Sequence, residues 1–188
     1  MKEFSSRSCK CCLELGAVYR NERGRELRQV GMIFYRRELH YDIANLAYVA
    51  GDVLPEDMQT GKHQLQDIIQ EGNVDETDRI VSLALQKCSE ILHRYTRFEN
   101  TCELFTDRQD KPPFWAMELG VPLTMARSTL EYIWRLIHQL CVYRALAFWS
   151  LTTRTGGEDW AAMARETEME LESAALRSGD RACIVAFP

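Results

Sequence analysis

The chain has 188 residues, 46% of them hydrophobic and 27% charged, with five prolines and ten glycines. That is enough chain for one domain with a real core, and too little proline and glycine for a disordered polymer. A net charge of −5 lacks the positive field of a typical nucleic-acid binder.

The charge is uneven along the chain. Residues 1–40 carry nine Lys/Arg against five Asp/Glu, net +4, whereas residues 51–90 carry three against nine, net −6. A basic N-terminal arm is therefore the one segment suited to nucleic acid or to an acidic partner; its blander reading is a solvated arm offset by an acidic surface. Residues 1–31 are poorly periodic. They read as an arm without regular structure, or as an extension upstream of a true start at Met32. Arg7 and Lys10 interrupt any signal-like apolar run, and the same absence argues against a lipid anchor at Cys9. A cytoplasmic compartment follows, where the seven cysteines are expected as thiols.

From Glu26 to Ala50 the pattern is helical. Leu39, Ile43, Leu46, Ala47 and Ala50 form an aliphatic stripe, with Phe34, Tyr41 and Tyr48 on a second face. A helix with two apolar faces calls for two neighbours, one of them another subunit, unless the tyrosines simply edge a monomer core. Pro55 suits the start of a second, weaker helix to about Glu71, with Gly61 inside it and Gly72 as its stop. A third helix takes Asp75 as its N-cap and keeps Val81, Ala84, Leu85, Cys88, Ile91, Leu92, Tyr95 and Phe98 on one face. Pro112 and Pro113 then interrupt, and "FWAMEL" reads as an extended segment pinning Trp115 or Phe114 onto the bundle. Pro122 opens a fourth helix to about Arg154, closed by Gly156 and Gly157. The fifth carries Trp160, Met163, Ala164, Thr167, Leu171 and Ala174 on one face. The tail 181–188 is apolar and short, either a docked strand or a frayed end.

The expectation is an all-α domain over 32–180: four or five helices around one long central helix, about 122–154. At 1.5 Å per residue that helix would be about 48 Å long, longer than the roughly 40 Å diameter of a globule of this size. Its apolar run Leu130–Leu151 is not a membrane span. Glu131, Arg135 and Arg144 cost about 8–10 kcal/mol on an insertion scale, against about 3–5 kcal/mol returned by nine Leu, Ile, Val and Phe.

Recognisable catalytic motifs are absent. The four histidines do not cluster, and there is no glycine-rich phosphate loop, no H-E-x-x-H and no G-x-S-x-G, so no cofactor is implied. Cys9, Cys11 and Cys12 form one C-x-C-C, but structural zinc usually takes two such pairs and no second pair exists. The best polar constellation is Arg127, Glu131 and Arg135 at i, i+4 and i+8, with His138 three further on. These four project within about 80° of one another. As a site, Glu131 and His138 would be the catalytic candidates and Arg127 and Arg135 the ligand-binding ones, in an enzymatic or small-ligand-binding bundle. As a surface, the group is a solvated ion-pair stripe. Arg144 differs, because it projects among Leu140, Ala147, Phe148 and Leu151. A charge on an apolar face requires a partner; the acidic fifth helix (Glu166, Glu168, Glu170, Glu172) offers one, as does a subunit interface.

The runs "MIFYRRELHYDIANLAYV", "GNVDETDRIVSLALQKCSEIL", "LIHQLCVYRALAFWSLT" and "WAAMARETE" resemble small, uncharacterised helical bacterial proteins, some associated with prophage or other mobile elements. The resemblance implies no catalytic residues. Together these features predict a non-catalytic helical interaction or assembly protein that associates with itself or with protein partners. A virion component such as a phage head–tail adaptor is the narrower alternative.

Overall fold

The computed structural model describes residues 13–21, 24–53, 59–92, 112–155 and 158–178. It is a mixed α/β domain: β1 (Leu13–Arg20), β2 (Glu26–Tyr35), α1 (Arg36–Val53), α2 (Gln59–Gln66) continued by a 3-10 turn (Asp67–Ile69), α3 (Val74–Ile91), β3 (Phe114–Pro122), α4 (Arg127–Thr152) and α5 (Glu158–Ser178). The all-α expectation is thus wrong. An antiparallel sheet of order β1-β2-β3 packs beside the helices.

The physical reason lies in "ELRQVGMIFY". Val30, Met32 and Phe34 alternate with Gly31 and Ile33, a period of two. All three are fully buried. The helical stripe begins only at Leu39, so α1 starts ten residues later than the pattern over 26–50 suggested. Phe34 belongs to the sheet core rather than to a tyrosine face. The first half of the hairpin falls in the supposed unstructured arm. Met32 lies mid-strand, opposite Leu13 on one side and Met117 on the other. A chain starting at Met32 would lack β1 and the first six residues of β2.

At the hairpin, Gly24 takes a left-handed φ of +73°, which glycine adopts without Cβ cost. The Gly24 and Arg25 backbone N–H groups donate to the main-chain and side-chain oxygens of Asn21. Between Leu15 and Val18 the pairing slips: three steps along β1 match two along β2, from Leu15↔Val30 to Val18↔Arg28. This bulge reverses the facing of the residues beyond it. Tyr19 is thereby placed on the outer face, where its hydroxyl lies over Gly120; a Cβ at Gly120 would sit 2.0 Å from it. The outer face mixes polar and apolar contacts: Gln29 Nε2 donates to Glu118 Oε2 at 2.9 Å, and the rings of Tyr35 and Phe114 meet edge-on at 6.4 Å. The inner face, Val30, Met32 and Phe34 with Trp115, Met117, Leu119 and Val121, joins the helical core. β3 covers the extended "FWAMEL" and runs on to Pro122, which ends a strand instead of opening a helix.

α4 is the central helix, about 39 Å long from its 26 residues, and it packs on α5, α3 and α1. It stops before the glycines. Thr155 N–H bonds Ser150 O and Arg154 N–H bonds Leu151 O, with Arg154 at φ 56°. That is a Schellman cap with arginine in the left-handed position usually held by glycine. α3 starts after Asn73 rather than Asp75, leaving Asp75 and Glu76 in its first turn, where the helix dipole favours carboxylates. Three indole N–H groups tie the layers together: Trp134 to Ile33 O at 2.9 Å, Trp115 to Ser82 Oγ at 3.1 Å and Trp149 to Gln64 O at 2.9 Å. Tyr95, Phe98 and the tail 181–188 lie outside the described residues.

Candidate functional site

The stripe of α4 does not converge. Arg127 Nε donates to Glu131 Oε1 at 3.0 Å, and both side chains are well exposed. Arg135 is exposed. His138 turns away from them, toward α1, where its Nε2 meets Asp42 Oδ2 at 2.7 Å. Its ring lies 5.5 Å from that of Trp134, which stacks in turn on Phe34 at 5.8 Å.

This arrangement decides what His138 can do. Its Nδ1 is closed to solvent and has no hydrogen-bond partner. A general base needs a free nitrogen within reach of the substrate proton. Here the reachable nitrogen is committed to Asp42 and the other is sealed. The tautomer with the proton on Nε2 satisfies the Asp42 contact and leaves Nδ1 an idle acceptor, which costs less than a stranded N–H. Glu131 is half-exposed and held by Arg127.

Arg144 does have a partner within the chain. Its Nε donates to Glu168 Oε1 at 3.0 Å, and its terminal nitrogen Nη2 reaches the same oxygen. The pair joins α4 to α5 at the rim of the core, next to Cys88 of α3. Burial pushes the Cys88 thiol up to about 12; Arg144 pulls it down and Glu168 pushes it back up. Such a thiol stays protonated at neutral pH and is a poor nucleophile.

The most enclosed charge cluster is one the sequence did not single out. Arg36 Nε lies 3.0 Å from both oxygens of Asp78, and Arg36 Nη2 lies 2.8 Å from Oδ2. His40 Nε2 reaches Asp78 Oδ1 at 2.7 Å. Arg36 and His40 are one turn apart at the start of α1, and Asp78 is in the second turn of α3. Burial alone would raise the Asp78 carboxyl. The hydrogen bonds from His40 and Arg36, with the guanidinium charge, outweigh that and hold it below its ordinary value. A signal was legible: Asp78 stands three residues before Val81 and seven before Leu85, on the apolar stripe of its helix, as Arg144 does on α4.

Cys9, Cys11 and Cys12 lie outside the described residues. Among the described residues no group of three His, Cys, Asp or Glu side chains could hold a metal ion, and no helix is long and apolar enough to cross a membrane. Of the basic residues in 1–40, Arg20 pairs with Glu26 and Arg36 with Asp78. Comparison with protein-family models, curated proteins and solved structures finds no match to this chain.

What the polar clusters leave over is a surface. The side of α1 facing away from Leu39, Ile43 and Ala47 carries Arg37, Glu38, Tyr41, Asn45, Tyr48, Val49 and Asp52, all exposed. Tyr41 is 70% exposed and Tyr48 57%. The clusters behind α1 bind it firmly: Arg36 and His40 to α3 on one flank, Asp42 to α4 on the other.

Proposed function

We propose that this chain is a non-catalytic interaction module that associates with copies of itself in the cytoplasm. The observation that carries this reading is the exposed Tyr41–Tyr48 face of a helix that is otherwise clamped on both flanks. Tyrosines present large apolar area at low entropy cost and are enriched at interfaces. A rigid helix is also a better platform for a partner than a loop. The enzymatic alternative loses support from the sealed Nδ1 of His138 and from the exposure of Arg127, Glu131 and Arg135. The head–tail adaptor alternative belongs to the same class but requires a ring, hence two different surfaces meeting head to tail.

Sedimentation velocity from about 1 to 500 µM, a range that covers weak interfaces, tests the proposal. Reversible growth of a dimer or higher species with concentration supports it. A strict monomer throughout overturns it.

A further inference from the structure

Resting on the self-association reading, we infer that α1 pairs with α1 of a second copy, antiparallel and about a two-fold axis at the level of Ala44 and Asn45. Along the middle of the exposed side, Arg37, Tyr41, Asn45, Tyr48 and Asp52 read as a charge palindrome, with Glu38 and Val49 along one edge. Antiparallel pairing of residue i with residue 89 − i sets Arg37 against Asp52 and Tyr41 against Tyr48, each twice. The smallest members, Ala44 and Asn45, meet where the helix axes come closest.

Charge complementarity selects this occupant. Arg37 lies in the first turn of α1, where the helix dipole disfavours a cation. Its neighbour Arg36 is offset by Asp78. Arg37 meets no carboxylate among the described residues. Asp52 stands in the last turn, similarly misplaced, and Lys62 Nζ takes one of its oxygens at 2.5 Å while the side chain stays 43% exposed. A carboxylate accepts at both oxygens, so Asp52 has room for a guanidinium. Glu38, exposed in the same turn as Arg37, and Lys62, on Asp52, soften the contrast, but the antiparallel register still sets the guanidinium of Arg37 against the open oxygen of Asp52 at both ends. A parallel pair would set Arg37 against Arg37, which like-charge repulsion opposes.

The stripe is about 22 Å long from Arg37 to Asp52. A contact of that length and one helix wide is small, in the class of transient interfaces. The geometry is isologous, so it closes as a dimer and does not grow into a ring.

The test uses charge reversals in the full chain, read by sedimentation velocity, with circular dichroism melts as the check on folding. Arg37→Glu creates two Glu–Asp contacts and Asp52→Arg two Arg–Arg contacts. Each alone is expected to lower dimer affinity by at least about tenfold. An equimolar mixture of the two variants has only complementary contacts and is expected to recover to within about threefold of wild type. Misfolded protein would not show that recovery. Should Asp52→Arg disturb Lys62, Asp52→Asn removes the attraction without the repulsion and still weakens the dimer. Dimers unaffected by Arg37→Glu would overturn the α1 pairing while leaving self-association standing through another face. Loss in both variants without recovery in the mixture would overturn the antiparallel register. A wild-type monomer at every concentration would overturn both readings.

Discussion

Asp78 offers the sharpest check on the structural part of the argument. Its side chain is 6% exposed and receives Arg36 in two-pronged fashion and His40 through one short bond, while Arg36 is 21% exposed. Asp78→Ala strands a guanidinium and an imidazole together. Removing one partner of a buried pair costs about 3–5 kcal/mol; water still reaches a fifth of Arg36, so about 3 kcal/mol is the expected loss. For a chain of this size that lowers the melting temperature by about 6–12 °C. Asp78→Asn keeps an acceptor for His40 but faces an amide toward Arg36, and should lose about 2 kcal/mol. Leu83→Ala, on the same helix and 60% exposed, serves as the control. Urea unfolding followed by circular dichroism gives the numbers. The pH dependence supplies a second check. The Asp78 carboxyl is held below its ordinary value of 3.8 in the folded chain, so its contribution is fully present above the unfolded pKa. It is lost as pH falls from about 4 through the folded pKa. The gap between wild type and Asp78→Asn should therefore narrow below about pH 4. An Asp78→Ala variant within about 0.5 kcal/mol of wild type, the spread of ordinary surface changes, would refute the clamp.

Two further outcomes follow from the same geometry. Arg144 is 35% exposed, so its pairing with Glu168 is worth less than a fully buried one: Arg144→Ala and Glu168→Ala should each cost about 1–2 kcal/mol, with the double variant about 1 kcal/mol less than their sum. Additive losses would mean that the two side chains do not interact. Cys88 and Cys141 are fully buried, and with the Cys88 thiol pushed up to about 12 neither should react with a disulfide reagent at pH 8 until the chain unfolds. Peptide mapping after brief labelling checks this, and rapid native modification of Cys88 would contradict its burial.

The helical part of the fold was legible because its apolar residues recur at helical spacing over many turns. α3 keeps Val81, Ala84, Leu85 and Cys88 on one buried side, and α4 carries so much apolar surface that its enclosure could be read directly. The sheet was harder to see. β2 runs straight into α1 with no break: Tyr35 ends the strand and Arg36 starts the helix. A window spanning the junction averages periods of 2 and 3.6, and the longer helical segment dominates it. β1, exposed along most of its length, has no buried alternation to read. It is held as a strand by pairing with β2, a contact of tertiary origin.

The same contrast separates the polar residues. Arg144 and Asp78 both reveal themselves as charges on apolar stripes, because burial without a partner is forbidden by cost and so announces that a partner exists. The stripe Arg127, Glu131, Arg135 and His138 had regular spacing but no such cost, and spacing alone brought together Arg127 with Glu131 but not the four as one site. His138 was recruited by Asp42 from another helix, a pairing set by how α1 docks on α4. Arg37 and Asp52 carry a third kind of signal. Both are exposed, so neither demands a partner for burial, but each sits at the wrong pole of its helix, cation at the N-terminus and anion at the C-terminus. One misplaced charge is ordinary surface variation. Two, of opposite sign and bracketing two exposed tyrosines on the same side of one helix, are corrected together by one operation, the two-fold rotation that sets the helix against itself.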